Sequence, residues 1–195
     1  MALDRASLSS RSTPATMSLP VLTGDGILLC PATVADADAL QRHWNRRAVR
    51  RHLWDGMPVL SSHVDTVLAQ HERDLRTRRV GLFTIRPSDA PERIVGCVGL
   101  RTVAGQTDDC APRDDLPPEL MVSLDHSRWR QGVATQAALM VLEDAHQRAG
   151  LSQVLAIVSA ENTTVMRGLQ RIGFQPRPEI VVLGAPIPAW QKTLP

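Results

Sequence analysis

The sequence predicts one α/β (α+β) domain built on a mixed, twisted sheet. Three observations carry that expectation. The 195 residues are 43% hydrophobic and 22% charged, which suits a single globular core. Two apolar runs, Gly81–Ile85 and Ile94–Leu100, flank the turn-rich segment Pro87–Pro91 and read as a hairpin. The second half places a helix between two apolar runs, Glu119–Leu124 and Val154–Val158, which is a crossover unit expected to be right-handed. No internal repeat or second domain interrupts the pattern.

Each element follows from local residue chemistry. Residues 1–19 are rich in Ser, Thr, Ala and Arg and lack an apolar h-region. They read as a disordered tail, or as sequence ahead of a start at Met17, with the domain spanning 20–195. Gly24-Asp25-Gly26 is a turn before the strand Ile27–Cys30. Thr33 and Asp36 open a helix through Leu40 and His43-Trp44. Ser62 with Asp65 resembles a capping box, opening a helix with Val64, Val67, Leu68 and Leu75 on one stripe. The polar, acidic stretch 104–118 ends in Pro117-Pro118 and reads as a loop. The helix after Gly132 runs to about Arg148, with Ala134, Ala137, Ala138, Val141 and Ala145 on one face. Gly150 ends it as a left-handed cap. Val154–Val158 is apolar throughout, as expected of a strand covered on both faces. Asn162 caps a short helix bearing Val165, Met166 and Leu169, stopped by Gly173. Beyond Pro176 and Pro178, Ile180–Leu183 and Ala189–Leu194 read as strands.

Composition excludes several classes of function. No run approaches ~18 apolar residues, so no membrane-spanning helix is expected. The net charge of +2 is too small for a nucleic-acid coat, and the arginines are not interleaved with aromatics, which make up only 3%. Cys30, Cys97 and Cys110 lie far apart and fit no metal-ligand spacing, with or without His126. They read as reduced thiols of a cytoplasmic protein, with no metal. Lys192 is the sole lysine, and tyrosine is absent altogether.

The chemistry-bearing segment is Trp129-Arg130-Gln131-Gly132-Val133-Ala134-Thr135, between a strand and a helix with a small face. Gly132 and Ala134 let a ligand approach the backbone. The first N–H groups of a helix lack intrahelical partners, and the dipole adds partial positive charge, so such an end suits a pyrophosphate. Arg128 and Arg130 add charge nearby. Tight packing of helix on sheet explains Gly132 equally well. A G-K-[ST] ending and a G-x-G-x-x-G after a strand are both missing, which excludes the Walker loop and the dinucleotide fingerprint.

The run Glu119-Leu-Met-Val-Ser-Leu-Asp-His-Ser-Arg-Trp-Arg-Gln-Gly-Val-Ala-Thr-Gln-Ala137 resembles the signature of the GNAT superfamily of N-acetyltransferases, in its RimJ/RimL-like branch. That signature is a strand followed by [QR]-x-x-G-x-[GA] opening a helix. Trp129 stands where Arg or Gln is usual. Glu161-Asn162 and Arg171-Ile-Gly-Phe174 are similar to the closing motif, and Gly26–Ala39 and Trp44-Asn45 to the opening one. The likeness spans roughly 20–190 and is strongest over 119–174.

The resemblance implies a sheet of six or seven strands, about four helices, and acetyl-CoA as cosubstrate. It also implies that the backbone at Val122 to Leu124 runs beside the pantetheine arm. Trp129, Arg130, Gln131, Gly132, Val133, Ala134 and Thr135 then form the pyrophosphate cradle. Asn162 reaches the cofactor, caps its helix, or does both. The reaction implied is direct attack of a primary amine on the thioester. An α-amine of pKa near ~8 costs about 1.4 kcal/mol to neutralise at pH 7, and a lysine near ~10.4 costs roughly 4.6 kcal/mol. A lysine therefore needs more help from a base, and the RimL-like resemblance implies a protein or peptide α-amine as acceptor, with a small-molecule amine as the competing class. The proton donors usual in relatives are missing, because Val165 and Leu169 stand at their positions. Glu119 is the first candidate base and Ser123, on the same side of its strand, the second. His126 is a third. Each is also explained as an edge charge, a strand residue or a loop residue. Arg46, Arg47, Arg50 and Arg51 lie where the acceptor groove is implied, and would read an acidic acceptor or merely coat a helix. A catalytically silent acyl-CoA-binding module is the alternative reading. A homodimer is compatible with the resemblance.

Overall fold

The computed structural model describes residues 18–51, 53, 56–103, 113–182 and 185–195. Eight strands form one sheet in the order β1-β2-β3-β4-β5-β6-β8-β7. They are β1 (Leu22–Thr23), β2 (Ile27–Pro31), β3 (Leu82–Pro87), β4 (Gly96–Arg101), β5 (Glu119–Leu124), β6 (Gln153–Ile157), β7 (Gln175–Val182) and β8 (Ala185–Thr193). The helices are α1 (Ala37–Trp44), the single turn α2 (Arg47–Arg50), α3 (Ser61–Arg78), α4 (Val133–Ala149) and α5 (Thr163–Arg171). The mixed sheet with four longer helices agrees with expectation. The extra strand is β1, a two-residue partner of β2 formed where Gly24 N–H donates to the Ile27 carbonyl. Helices pack on both faces, so most inner strands are apolar on both sides.

One face carries α4. Its small residues Ala137, Ala138 and Ala145, with Val141 and Leu142, are buried against Leu120, Leu124, Val98 and Val154. Alanines let the helix axis approach the sheet closely. On the opposite face Val64, Val67 and Leu68 of α3 pack with Leu40 and Trp44 of α1 and with Met121 and Cys97 of the sheet. Burying each of these larger apolar side chains contributes about 1.5–3 kcal/mol. Strand β5 divides the two layers. Leu120, Val122 and Leu124 face α4, and Glu119, Met121 and Ser123 face α1 and α3.

Several local expectations change. Leu19, assigned to the tail, is buried in the core beside Val80, so the ordered domain begins earlier than residue 20. Residues 1–17, Cys110 and most of the acidic loop lie outside the described residues. Helix α3 starts at Ser61 with Leu60 at the cap, and the Leu60 N–H donates to His63 Nδ1 at 3.3 Å. Ser62 and Asp65 are therefore exposed helical residues and not a cap. The Thr33–Asp36 pair does act as expected: the Thr33 N–H and hydroxyl both donate to Asp36 Oδ2, at 2.9 and 3.0 Å. The C-terminal strands are longer than the two apolar runs suggested, because the β7–β8 hairpin extends pairing through Gln175–Arg177.

Candidate active site

Among the described residues β5 and β6 are the only parallel neighbours, and their register contains a single pair, Glu119↔Leu155. The Leu155 N–H donates to the Pro118 carbonyl at 2.9 Å, and beyond that point the strands are no longer paired. β5 stays bound to β4 along its whole length, from Arg101↔Glu119 to Gly96↔Leu124. The Asp125 N–H donates to the Val95 carbonyl. Strand alternation therefore turns the amides of Ser123 and Met121 toward β4, and those of Val122 and Leu124 toward the gap beside β6. Trp129 Nε1 donates to the Leu124 carbonyl at 2.8 Å and fixes the loop that follows.

That loop delivers the start of α4. Arg130 (φ 60°) and Gly132 (φ 81°) are both left-handed and flank Gln131. Backbone of this handedness gathers successive N–H groups into an anion-binding concavity. Gly132 is the N-cap residue and has no side chain to satisfy the helix's first amides. The first α4 amide bond from its end is Gln136 N–H to the Gly132 carbonyl, so the N–H groups of Val133, Ala134 and Thr135 face outward from the helix start. A Cβ added at Gly132 would meet only open space, so tight packing does not require the glycine. Trp129, Arg130, Gln131 and Thr135 are exposed around it, and the Gln131 amide is tied to the Ser127 carbonyl at 2.8 Å. Asn162 caps α5 through its Oδ1, which accepts from the Val165 N–H at 3.4 Å.

The other face of β5 holds a buried polar network. His43 Nδ1 lies 2.9 Å from Asp125 Oδ1, and His43 Nε2 lies 3.0 Å from Ser123 Oγ. Trp44 Nε1 donates to the same Ser123 Oγ at 3.2 Å, and Arg46 Nη1 donates to Asp125 Oδ2. Burial pushes the His43 imidazole below its usual 6.5. The hydrogen bond and charge of Asp125 oppose that shift, and the charge of Arg46 reinforces it. A neutral His43 beside an acceptor-only carboxylate carries its proton on Nδ1, so Nε2 accepts from the Ser123 hydroxyl. Sequence reading placed Ser123 here but missed His43 and Asp125. The visible signals were the adjacent His43-Trp44 on the buried face of α1 and an aspartate directly after the strand.

The remaining candidates are dispersed. Glu119 is buried and its Oε2 accepts from Arg101 Nε at 3.0 Å, and that carboxylate raises the Arg101 guanidinium further. Four residues of extended strand, about 13 Å, separate it from Ser123. His126 is exposed and stacks at a tilt on Trp129, 4.7 Å between centroids. Arg46 reaches Asp125, while Arg47 and Arg51 are exposed and Arg50 is half-buried. Val165 is exposed and Leu169 buried. Among the described residues no cluster of three His, Cys, Asp or Glu side chains is arranged to hold a metal, and no helix is long and apolar enough to cross a membrane.

The acetyltransferase (GNAT) domain family matches residues 27–175. No curated protein sequence matches the chain. By structure it is similar to an acetyltransferase from Agrobacterium tumefaciens str. C58, with a TM-score of 0.74, 18% identity, and coverage of 93% of this chain and 98% of that one. It is similar to the ribosomal-protein-alanine N-acetyltransferase of Brucella melitensis, with a TM-score of 0.64, 19% identity, and coverage of 85% and 99%. The spermidine N-acetyltransferase of Vibrio cholerae, solved with CoA and spermine, gives a TM-score of 0.64 at 12% identity, covering 87% and 96%. These likenesses are of fold. With about three quarters of its length matched by one family, and an architecture shared along nearly all of these solved enzymes, the chain belongs to the GNAT acetyltransferases.

Proposed function

We propose that this chain transfers the acetyl group of acetyl-CoA to a primary amine by direct attack, and that the amine is a protein or peptide N-terminus. The observation that carries the reading is the open start of α4, with its left-handed Gly132, next to the gap between β5 and β6. Family membership supplies the reaction class. The cosubstrate contributes an activated acetyl carbon and a thiolate leaving group. The protein's share is positioning and charge. The amides of Gln131 to Thr135 hold the pyrophosphate. The Val122 and Leu124 amides, turned toward the gap beside β6, lie along the pantetheine arm, and an N–H there steadies the charge that develops on the thioester oxygen. Trp129 and Arg130 flank the cradle, Val133 and Ala134 form its floor, and Asn162 closes it from the far side of the gap while capping α5.

Two arguments favour an α-amine acceptor. It needs about 3.2 kcal/mol less than a lysine or alkylamine to reach its neutral form. The cluster Arg46, Arg47, Arg50 and Arg51 also repels a polycation and favours an acceptor with acidic groups. The free thiols Cys30 and Cys97 fit a reducing, cytoplasmic setting. Of the two catalytic candidates, Ser123 is hydrogen-bonded to a neutral imidazole, whereas Glu119 is engaged by Arg101.

The test is calorimetry with CoA and acetyl-CoA, followed by thiol release with peptides beginning in alanine or serine, an acidic peptide, and spermidine. Binding with turnover of a peptide amine is expected. Binding without turnover across the panel would leave only the silent acyl-CoA-binding module, and turnover of spermidine alone would move the acceptor to small amines.

A further inference from the structure

We propose that Ser123, His43 and Asp125 form a proton relay that accepts the proton of the attacking amine, with Ser123 as the group that touches the acceptor and His43 and Asp125 as the positioning residues behind it. The proposal rests on the acetyl-transfer reading above and extends it to the proton's path.

The geometry supports each link. A hydroxyl has one donor and two acceptor sites. The Ser123 proton points to His43 Nε2, at 3.0 Å, and one lone pair takes the Trp44 Nε1 proton, at 3.2 Å. One acceptor site remains on Ser123 Oγ for an amine N–H. Ser123 is 6% exposed, against 1% for His43 and 1% for Asp125, so it is the least enclosed of the three. It lies on β5 between Val122 and Leu124, whose backbones face the gap. The relay is thus on the opposite face of the strand that would hold the thioester.

The groups around His43 determine its charge. Asp125 supports the imidazolium, and Arg46, shared with the same carboxylate, opposes it. Cys97, paired across from Ser123 on β4, is pushed up to about 12 by burial and stays neutral. Trp44 and Ser123 carry no charge. A neutral imidazole held this way is a competent base near neutral pH.

The step balances as follows. The neutral amine attacks the acetyl carbonyl and the C–N bond forms. Its surplus proton passes to Ser123 Oγ as the Ser123 proton passes to His43 Nε2. The C–S bond breaks, and its electron pair leaves on sulfur as a thiolate, which takes a proton from water. The His43 proton then returns to solvent through Ser123.

The experiment uses the peptide panel above and records kcat/KM from about pH 5 to pH 9, with acetyl-CoA affinity measured in parallel. With both the amine and His43 required to be deprotonated, the acid limb of the wild-type profile should steepen from a slope of one toward a slope of two as the pH falls through the lowered pKa of His43. Ser123→Ala should lower kcat/KM at least ~100-fold at neutral pH and reduce that slope to one, with unchanged acetyl-CoA affinity. His43→Gln, checked for folding by its melting curve, should give the same single slope. A folded Ser123→Ala protein that keeps kcat/KM within about threefold and the slope of two overturns the relay alone. An acetyl ester found on Ser123 after incubation with acetyl-CoA and no amine also overturns it, in favour of a covalent route. Failure of the wild type to bind acetyl-CoA, or to turn over any amine, removes the acetyl-transfer reading and the relay with it.

Discussion

Gly132 and Gly150 bracket α4 and allow a matched test of the cradle. Both are left-handed, at φ 81° and 66°, and a Cβ at either would meet nothing within 4 Å. A substitution therefore meets no clash and costs backbone strain of about 1 kcal/mol for alanine and less for aspartate, which tolerates this region; the helix dipole favours the aspartate at Gly132 and opposes it at Gly150. For a chain of this length that lowers the melting temperature by roughly 2–4 °C at either end. The ends differ in what lies outside them. At Gly132 a carboxylate placed about 5 Å from a doubly charged pyrophosphate loses about 1.7 kcal/mol even at the dielectric of water, roughly fifteenfold in affinity. At Gly150 no phosphate is expected. Calorimetry with acetyl-CoA should show Gly132→Asp at least ~tenfold weaker than wild type, and Gly150→Asp unchanged. Equal affinities for the two variants, with both folded, would refute the cradle, because a carboxylate at Gly150 lies a full helix length from the proposed phosphates.

Three further outcomes follow from the geometry. His43 and His71 are both held below the usual 6.5, chiefly by burial, so below that pH the unfolded chain binds more protons than the folded one. Stability should be complete above about pH 6.5 and fall below it by up to ~1.4 kcal/mol per pH unit for each histidine, until the folded pKa is passed; melting curves that stay flat down to pH 5 would contradict this. Glu119→Gln removes the charge partner of a one-third-exposed Arg101 and should cost about 1–2 kcal/mol of stability while leaving the shape of the kcat profile with pH intact; a changed shape would give Glu119 the role of base. Arg50→Glu should raise KM for an acidic peptide acceptor with little change in acetyl-CoA affinity, as steady-state kinetics will show, and an equal loss for every acceptor and for the cofactor would indicate misfolding instead.

The parts of this fold that were legible in the sequence are those set by neighbours in the chain. The boundaries of β5, the left-handed Gly150, and the alanine face of α4 all follow from residues within a few positions of one another. The turn at Gly24–Gly26 was legible for the same reason, but the strand it creates was not, since Leu22–Thr23 is too short to show a period. The start of α3 was misplaced because Ser62 and Asp65 satisfy a familiar pattern, whereas the structure uses His63 reaching back to Leu60. At the site, the open start of α4 is set by residues within a few positions of one another and was therefore visible. The partner of Ser123 was not: His43 is 80 residues away, and Asp125 is 82 residues from His43. The His43-Trp44 pair on the buried face of α1 is a weak signal, because a histidine there satisfies the same periodic pattern as an apolar residue.

The two halves of the site meet in one strand, and strand chemistry explains why. Alternation gives β5 two faces and two edges, and each takes a separate part in the proposed transfer. One edge is bonded to β4 throughout, which fixes its position. The other edge loses β6 after one pair, which turns the amides of Val122 and Leu124 toward a gap without unfolding the sheet. One face anchors α4, the helix whose open end would hold the phosphates, and the other carries Ser123 against the α1 histidine. A carbonyl seated in the gap would then lie between donors fixed by the sheet and a base fixed by the opposite layer, with no loop required to set their separation. The burial that keeps His43 neutral is supplied by the same α1 and α3 packing that stabilises the fold. Activity and stability should therefore weaken together at low pH, as protonation of one imidazole both blocks the relay and strains the layer that contains it.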